Sequence, residues 1–341
     1  MRNIICILTI MFLFIGCSQK VQIKALKAAK ITNKSIKNIA VLSFRNDEIS
    51  QSIQINSAIS NVNVNNKKYF TLVDKKDIDK ILKEQKLNDS GLVNIFKNSS
   101  SNGLSQIETL VMGEVMVDDM TRTFFQESRT DYNRCIKTYK SKGEEYCSKY
   151  RKYKVPCQAN TYNVKTEVKL IQVNNGKTIF TNTYAKSSKY KHCSDDAYTL
   201  PNKTTENNRL AYKIANDLVK DIAPSYVYFS ITLLEDIDID LTNTQEILFE
   251  NALEMIQYKR INKANKMLLE LNKQLASRSY VVLYNLAITE ESLGNITRAY
   301  EFLKEAEDVS LQSKGVVEEI IIYVKKIEQN LSEKRKVNKQ L

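Results

Sequence analysis

Two alternating stretches, Thr161 to Val173 and Lys177 to Lys186, flank Asn174-Asn175-Gly176 and constrain this chain more than any other feature. Period-two alternation on both sides of an Asn/Gly turn predicts a β-hairpin. A three-residue loop sets Leu170 opposite Phe180 and Thr166 opposite Tyr184, while Lys169 faces Thr181 and Glu167 faces Thr183. A two-residue loop would mix apolar and charged partners, so the first register is expected, because one face of the hairpin must be buried. Carried outward, the same register places Cys157 opposite Cys193.

Cys6 and Cys17 belong to the N-terminal segment, which leaves Cys135, Cys147, Cys157 and Cys193. Four cysteines in an oxidising compartment read as two disulfides with three possible pairings. The hairpin register selects Cys157 with Cys193, and Cys135 with Cys147 then closes a small loop. Zinc is the rival reading. No pair has zinc-knuckle spacing, and the only histidine, His192, adjoins Cys193, so no metal site is expected.

The oxidising compartment is inferred from the first seventeen residues. Arg2 gives a positive start, Ile4 to Ile15 is apolar except for Thr9, and Phe14-Ile15-Gly16-Cys17 closes the run. The run is too short to span a bilayer comfortably and has the form of an export signal. This end resembles a bacterial lipobox, with Phe14 where that family usually carries Leu. The resemblance implies acylation of Cys17, loss of residues 1–16, and, with Ser18 next, delivery to the outer membrane. An ordinary secretory signal is the alternative. Residues 17–35 read as a lipidated, basic tether, with a helix as an option around Ala25 to Ala29; as a coil it would reach roughly 20 to 25 Å.

After Cys17 no stretch offers eighteen apolar residues in a row, so no membrane-spanning helix is expected. The net charge of +12 suits nucleic acid in general. For an exported chain, anionic lipid headgroups, lipopolysaccharide or cell wall are the expected counter-charges, and no nucleic-acid partner is expected. Lys and Asn enrichment with few Gly and Pro reads first as a compositional bias spread along the whole chain.

Ile36 to Phe44 reads as a strand covered on both faces, and helical spacing follows at Ile49, Ile53, Ile55 and Ile59. Tyr69 to Val73 reads as a second strand, and Asp74 caps a helix carrying Ile78, Ile81 and Leu82. The block Tyr69 to Gln85, then Ser90-Gly91-Leu92-Val93 and Thr109-Leu110-Val111-Met112-Gly113-Glu114-Val115, resembles the curli-secretion (CsgG) lipoprotein family. Ile107 and Glu108 stand where that family usually has Gly-Ala. The resemblance implies an α/β domain of mixed sheet and helices over residues 36–234, a scaffold shared with lipoproteins that activate peptidoglycan synthases. In the curli channel a membrane hairpin follows the Gly113 strand. Here residues 127–154 carry charges at both parities, so neither face of a strand suits lipid. Residues 127–159 are therefore expected to form a cysteine-bearing insertion.

Leu210, Ile214, Leu218 and Ile222 predict a helix stopped by Pro224, and Tyr226 to Leu234 a last strand. Asp236, Asp238 and Asp240 alternate with apolar residues but lack the glycine and glutamate of a calcium loop. Residues 243–331 read as helix throughout. A shift of 35 residues superimposes Leu248, Ala252, Ala264, Leu268 and Leu271 on Leu283, Ala287, Ala299, Leu303 and Ala306, with Gly294 where the first copy has Lys259. This pattern looks like the tetratricopeptide repeat, an all-α helical-hairpin module. The resemblance implies a concave protein-binding face around Asn251, Tyr258, Asn285 and Glu290. Residues 332–341 read as a flexible tail.

No catalytic constellation and no cofactor motif emerges. One histidine excludes most His-based schemes, and Asp118-Asp119 and Asp195-Asp196 are neighbours whose carboxylates point apart on extended chain. The expected role is that of a non-enzymatic scaffold or assembly factor at the cell envelope, facing the periplasm and binding envelope proteins or peptides, alone or as a homo-oligomer. The alternatives are a curli-type secretion pore and a regulator of peptidoglycan synthases.

Overall fold

The structure is a computed structural model that describes residues 19–31, 36–73, 107–173 and 175–341. The chain divides into two units, one of residues 29–223 and one that joins 19–28 to 224–341.

The first unit is a mixed five-stranded sheet backed by helices. Its strands are β2 (Asn38–Val41), β5 (Thr71–Leu72), β6 (Thr109–Ser141), β7 (Glu144–Gln172) and β8 (Thr178–Cys193), in the order β5-β2-β6-β7-β8. Strand β2 runs parallel to both its neighbours, and Ile39, Ala40 and Val41 are all buried, as a strand covered on both faces requires. A short ribbon of β3 (Asn63–Val64) and β4 (Lys67–Lys68) lies apart from this sheet.

Helix α1 (Gln51–Ser60) begins where the Asp47 carboxylate accepts from the backbone N–H of Gln51 at 2.6 Å and of Ser52 at 2.9 Å. Ile49, Ile55 and Ile59 face inward, whereas Ile53 is 59% exposed. Helix α2 (Lys203–Ile222) is capped by Asn202, whose side chain accepts from Thr205 N–H, and buries Leu210, Ile214, Leu218 and Ile222. Both helices meet the sheet face carrying Tyr162, Val164, Thr166, Val168 and Leu170. Gln51 fastens the layers: its Oε1 accepts from Thr166 Oγ1 at 3.1 Å and its Nε2 donates to the Ala211 carbonyl at 2.9 Å.

The β7–β8 register sets Leu170 against Phe180, Thr166 against Tyr184, Glu167 against Thr183 and Cys157 against Cys193, and slips by one only at Ile171. Residue 174 of the turn lies outside the described residues.

Strands β6 and β7 continue well past the sheet. Beyond Cys157, β8 no longer accompanies them, and they run on as a two-stranded ribbon to the turn at Lys142-Gly143. Both turn residues have positive φ, 52° and 86°, as a two-residue hairpin turn demands. Residues 127–159 are therefore no separate insertion but the outer half of the two longest strands. Val155, Cys157 and Ala159 at its base are buried, but between residues 131 and 154 no face is, so no alternation marked that part in sequence.

Gly113 sits where β6 passes under Phe44. A Cβ there would lie 2.3 Å from the Phe44 ring and 2.5 Å from the Glu167 carbonyl oxygen. Gly113→Ala is expected to destabilise the unit by about 1 to 3 kcal/mol through overpacking. Thermal unfolding measures this, and a Phe44→Leu background should fail to restore stability fully, because the Glu167 backbone remains.

The second unit begins with β1 (Lys20–Lys27), paired antiparallel with β9 (Ser225–Thr232) from Lys20 opposite Thr232 to Lys27 opposite Ser225. The stretch read as a tether is thus largely a strand, with Val21, Ile23 and Ala25 buried. The boundary expected at residue 234 moves to Pro224, since β9 belongs with β1.

Four helices follow, α3 (Asn243–Gln257), α4 (Ile261–Gln274), α5 (Tyr280–Ser292) and α6 (Ile296–Ser313). The second pair repeats the first at an offset of 35 residues: α3 and α5 end at Gln257 and Ser292, and α4 and α6 start at Ile261 and Ile296. Lys259 and Gly294, at equivalent turn positions, both have positive φ, 59° and 87°. Ala252, Ala264, Leu268 and Leu271, like Leu283, Ala287, Ala299, Leu303 and Ala306, are completely buried. Helix α7 (Glu318–Gln340) closes the array and runs through the segment expected to be a flexible tail. Val337 and Gln340 are buried, and Glu333 accepts from Ala28 N–H at 2.9 Å, which holds that last stretch in place.

Candidate functional site

The four residues expected on one partner-binding face separate in the structure. Asn251, half-buried, shares an outward stripe of α3 with the exposed Ile247, and Tyr258, the C-cap residue that follows the helix, continues it at 64% exposure. Spacings of four and seven residues keep these side chains on one helical face.

Asn285 and Glu290 do not belong to it; both are buried. Asn285 donates to the Leu234 carbonyl at 2.7 Å and accepts from Leu234 N–H at 3.2 Å, so its amide pairs with an extended stretch of the same chain. Tyr284 adds a hydrogen bond to the Thr232 carbonyl at 3.0 Å. Asp238 then caps α5, accepting from Tyr280 N–H at 3.1 Å, from Val281 N–H at 3.4 Å and from the Ser279 hydroxyl. The alternating aspartates thus hold one helix-capping group. Glu290 accepts from Asn265 at 3.2 Å and Asn295 at 2.8 Å, and pairs with Arg298 at 3.1 Å, tying α4, α5 and α6 together. The expected groove face is covered by residues 232–238. The signal was present in sequence, since Tyr280 to Ile288 is apolar around the whole helix, the mark of a helix buried on every side.

Between α5 and α7, Glu291 accepts from the Tyr323 hydroxyl at 2.7 Å and from Asn330 at 2.8 Å. Burial raises the Glu291 carboxyl above its ordinary range, against the lowering effect of those two hydrogen bonds. A raised acid binds its proton more tightly in the folded state. Its contribution is complete below the unfolded-state carboxyl pKa and declines as pH rises through the folded value. Glu291→Gln is expected to flatten the fall in melting temperature between mildly acidic and neutral pH, as scanning calorimetry across that range would record.

The cysteines pair as Cys135 with Cys147 and Cys157 with Cys193. The second bridge is buried beside Val155 and the partly buried Phe125, at the point where β8 leaves the sheet. Over it lies an ion-pair cluster: Glu127 with Arg129 at 2.7 Å and Lys191 at 2.6 Å, and Arg129 with Asp195 at 3.0 Å. Hydrogen bonds from Lys191, and next from Arg129, hold Glu127 below the usual carboxylate range. Glu127, Cys157 and Cys193 lie as close together as metal ligands do, but both thiols are consumed in the disulfide, which leaves a single carboxylate. The adjacent carboxylates are occupied as well. Asp118 binds Lys203 and Asn207, Asp119 accepts from Asn163, Asp195 pairs with Arg129, and Asp196 accepts from Cys193 N–H. Cys17 and the Asp74 to Val93 block lie outside the described residues.

No family model matches the chain, and no curated protein matches it. Among solved structures it is similar to the lipoprotein GNA1162 from Neisseria meningitidis, at 9% identity over 55% of this chain and 97% of that one, with a TM-score of 0.25. It is similar to the PelC dodecamer from Paraburkholderia phytofirmans at 8% identity, over 60% of this chain and 98% of that one, with a TM-score of 0.24. A PDZ domain protein from Parabacteroides distasonis matches at 9% identity, over 63% of this chain and 40% of that one, with a TM-score of 0.21. TM-scores this low carry no argument about fold or function.

Proposed function

We propose that the chain is a lipid-anchored lipoprotein of the outer membrane, facing the periplasm, which acts without enzymatic activity as a scaffold or assembly factor in envelope secretion or biogenesis. The observation that carries this reading is the pair of helical hairpins repeated at 35 residues, with a stripe of Ile247, Asn251 and Tyr258 left open on α3. Read as tetratricopeptide-like repeats, these hairpins form a protein-binding module, and the open α3 stripe is the docking face for an envelope protein or peptide. The strand arrangement around β2, β5 and β6, with Gly113 beneath Phe44, supports the CsgG-like reading of the sheet unit.

The anchor also gains a shorter reach. Only residues 18 and 19 separate Cys17 from β1, a span of no more than about 10 Å. An acylated Cys17 then holds the helical unit against the lipid surface rather than at the end of a long tether.

The test uses the full-length protein in cells. Cys17→Ser is expected to move it from the membrane to the soluble fraction, and continued membrane binding would sink the anchor. Ile247→Asp with Tyr258→Asp is expected to abolish the crosslinked complexes of the parent while the circular dichroism spectrum stays unchanged. Complexes that persist would remove α3 from the reading.

A further inference from the structure

We propose that the outer half of the β6–β7 ribbon, residues 131–154, is a binding arm for a flexible anionic polysaccharide. Between Asp131 and Lys154 the chain carries eight lysines and arginines against three acidic residues, interleaved with five tyrosines. Among the described residues, the one ion pair in this stretch is Arg134 with Asp131 at 4.0 Å. Lys137, Lys140, Lys142, Lys149, Arg151, Lys152 and Lys154 have no carboxylate partner among those residues. The inner half behaves differently: Arg129, Lys169, Lys186 and Lys191 are each paired, at 2.5 to 3.0 Å. Close ion pairs are therefore concentrated at the base of the hairpin, where Arg122, Lys165 and Lys189 nevertheless lack one among the described residues, while from Arg134 outward all the positive charge but one weak pair stays open along about 40 Å.

The faces decide what kind of polyanion fits. Residues 149–154 of β7 alternate without interruption, which places Lys149, Arg151 and Tyr153 on one face and Tyr150, Lys152 and Lys154 on the other. Each face thus has two cations and a tyrosine. A flat bilayer meets one face and leaves the other unanswered, whereas a flexible polymer winds around both. The rings stand as rungs along the ribbon, Tyr139 stacked on Tyr146 with centroids 5.8 Å apart and Tyr132 edge-on to Tyr150 at 5.1 Å. Such rings offer apolar platforms to sugar faces, and the Tyr146 hydroxyl donates to Glu144. The Cys135–Cys147 bridge joins the two strands near the tip, so the arm keeps its shape without a core. Disulfides belong to an oxidising compartment, where anionic glycans rather than nucleic acids are the abundant polyanions. That choice alone rests on the exported reading proposed above.

The experiment titrates the full-length protein with polygalacturonate and measures the affinity by calorimetry. Parallel titrations use neutral dextran, poly(dT), and vesicles of phosphatidylglycerol and phosphatidylcholine in equal parts. Binding to polygalacturonate, its weakening by salt, and its absence with dextran are expected. The K149E/R151E/K152E/K154E variant is expected to bind at least about tenfold more weakly, since each exposed charge contributes a factor of about two or more. Unreduced peptide mapping checks that both disulfides survive. The four glutamine replacements at the same positions serve as the second variant, with a smaller loss of the same sign. Unchanged affinity in both variants, no binding by the parent, or tighter binding of poly(dT) or of the vesicles would each overturn the assignment. Because the titration is done in solution, a failed Cys17 anchor does not affect its outcome.

Discussion

Replacing Cys157 and Cys193 together by alanine is expected to lower the unfolding free energy of the sheet unit by about 4 kcal/mol, the cost of releasing a loop of this length in the unfolded chain. The bridge spans 36 residues and is buried among Val155, Phe125 and the Glu127 ion pairs, so its loss also opens a void at the corner where β8 stops. Alanine is chosen because serine would bury two hydroxyls without partners. The Cys135–Cys147 bridge makes the instructive contrast. It closes 12 residues at the exposed end of the ribbon, away from any buried core, so its removal should leave the global midpoint nearly unchanged and instead speed tryptic cleavage near Lys137 and Lys149. Urea unfolding followed by tyrosine emission, in a chain with 18 tyrosines and no tryptophan, reads the first effect. Equal midpoints for the parent and the Cys157/Cys193 variant would defeat the prediction.

Leu303→Ala is expected to destabilise the helical unit by about 2 to 5 kcal/mol, the range for deleting a completely buried leucine. Its repeat-equivalent Leu268→Ala should cost a comparable amount, because both side chains fill the contact between paired helices. In a repeat array stability is transmitted between neighbours. Either variant should therefore lower one shared transition rather than split it. Calorimetry decides: separate transitions for the two hairpins would show that they do not fold as one array.

The features legible in sequence were those set by a buried face. The hairpin register was readable because Leu170, Phe180, Thr166 and Tyr184 had to share one side, and that register carried Cys157 to Cys193. The 35-residue repeat was readable because small and large residues recur where helices meet, and Lys259 and Gly294 marked equivalent turns. Strand β1 escaped because its lysines drew attention from the alternation of Val21, Ile23 and Ala25 beneath them. Asn285 and Glu290 were misplaced for a different reason. The tetratricopeptide resemblance implied an open face for them, yet Asn285 is paired with Leu234, and Glu290 with Asn265, Arg298 and the turn residue Asn295. The last turns of α7 looked solvated because Val337 alone signals burial there.

The pairing of β1 with β9 also fixes an order of events during synthesis. Residues 29–223 form a continuous stretch and can complete their sheet as soon as they are made. The helical unit cannot, because its first strand emerges about two hundred residues before the strand it needs. Lys20 to Lys27 must wait, with one strand edge unsatisfied, until Ser225 to Thr232 arrives. Such a long-range closure is slow and favours a late, cooperative final step. An exported chain delivered N-terminus first would therefore leave its β1 segment open to holding factors for most of its passage, and mature only when the last helices reach the same compartment.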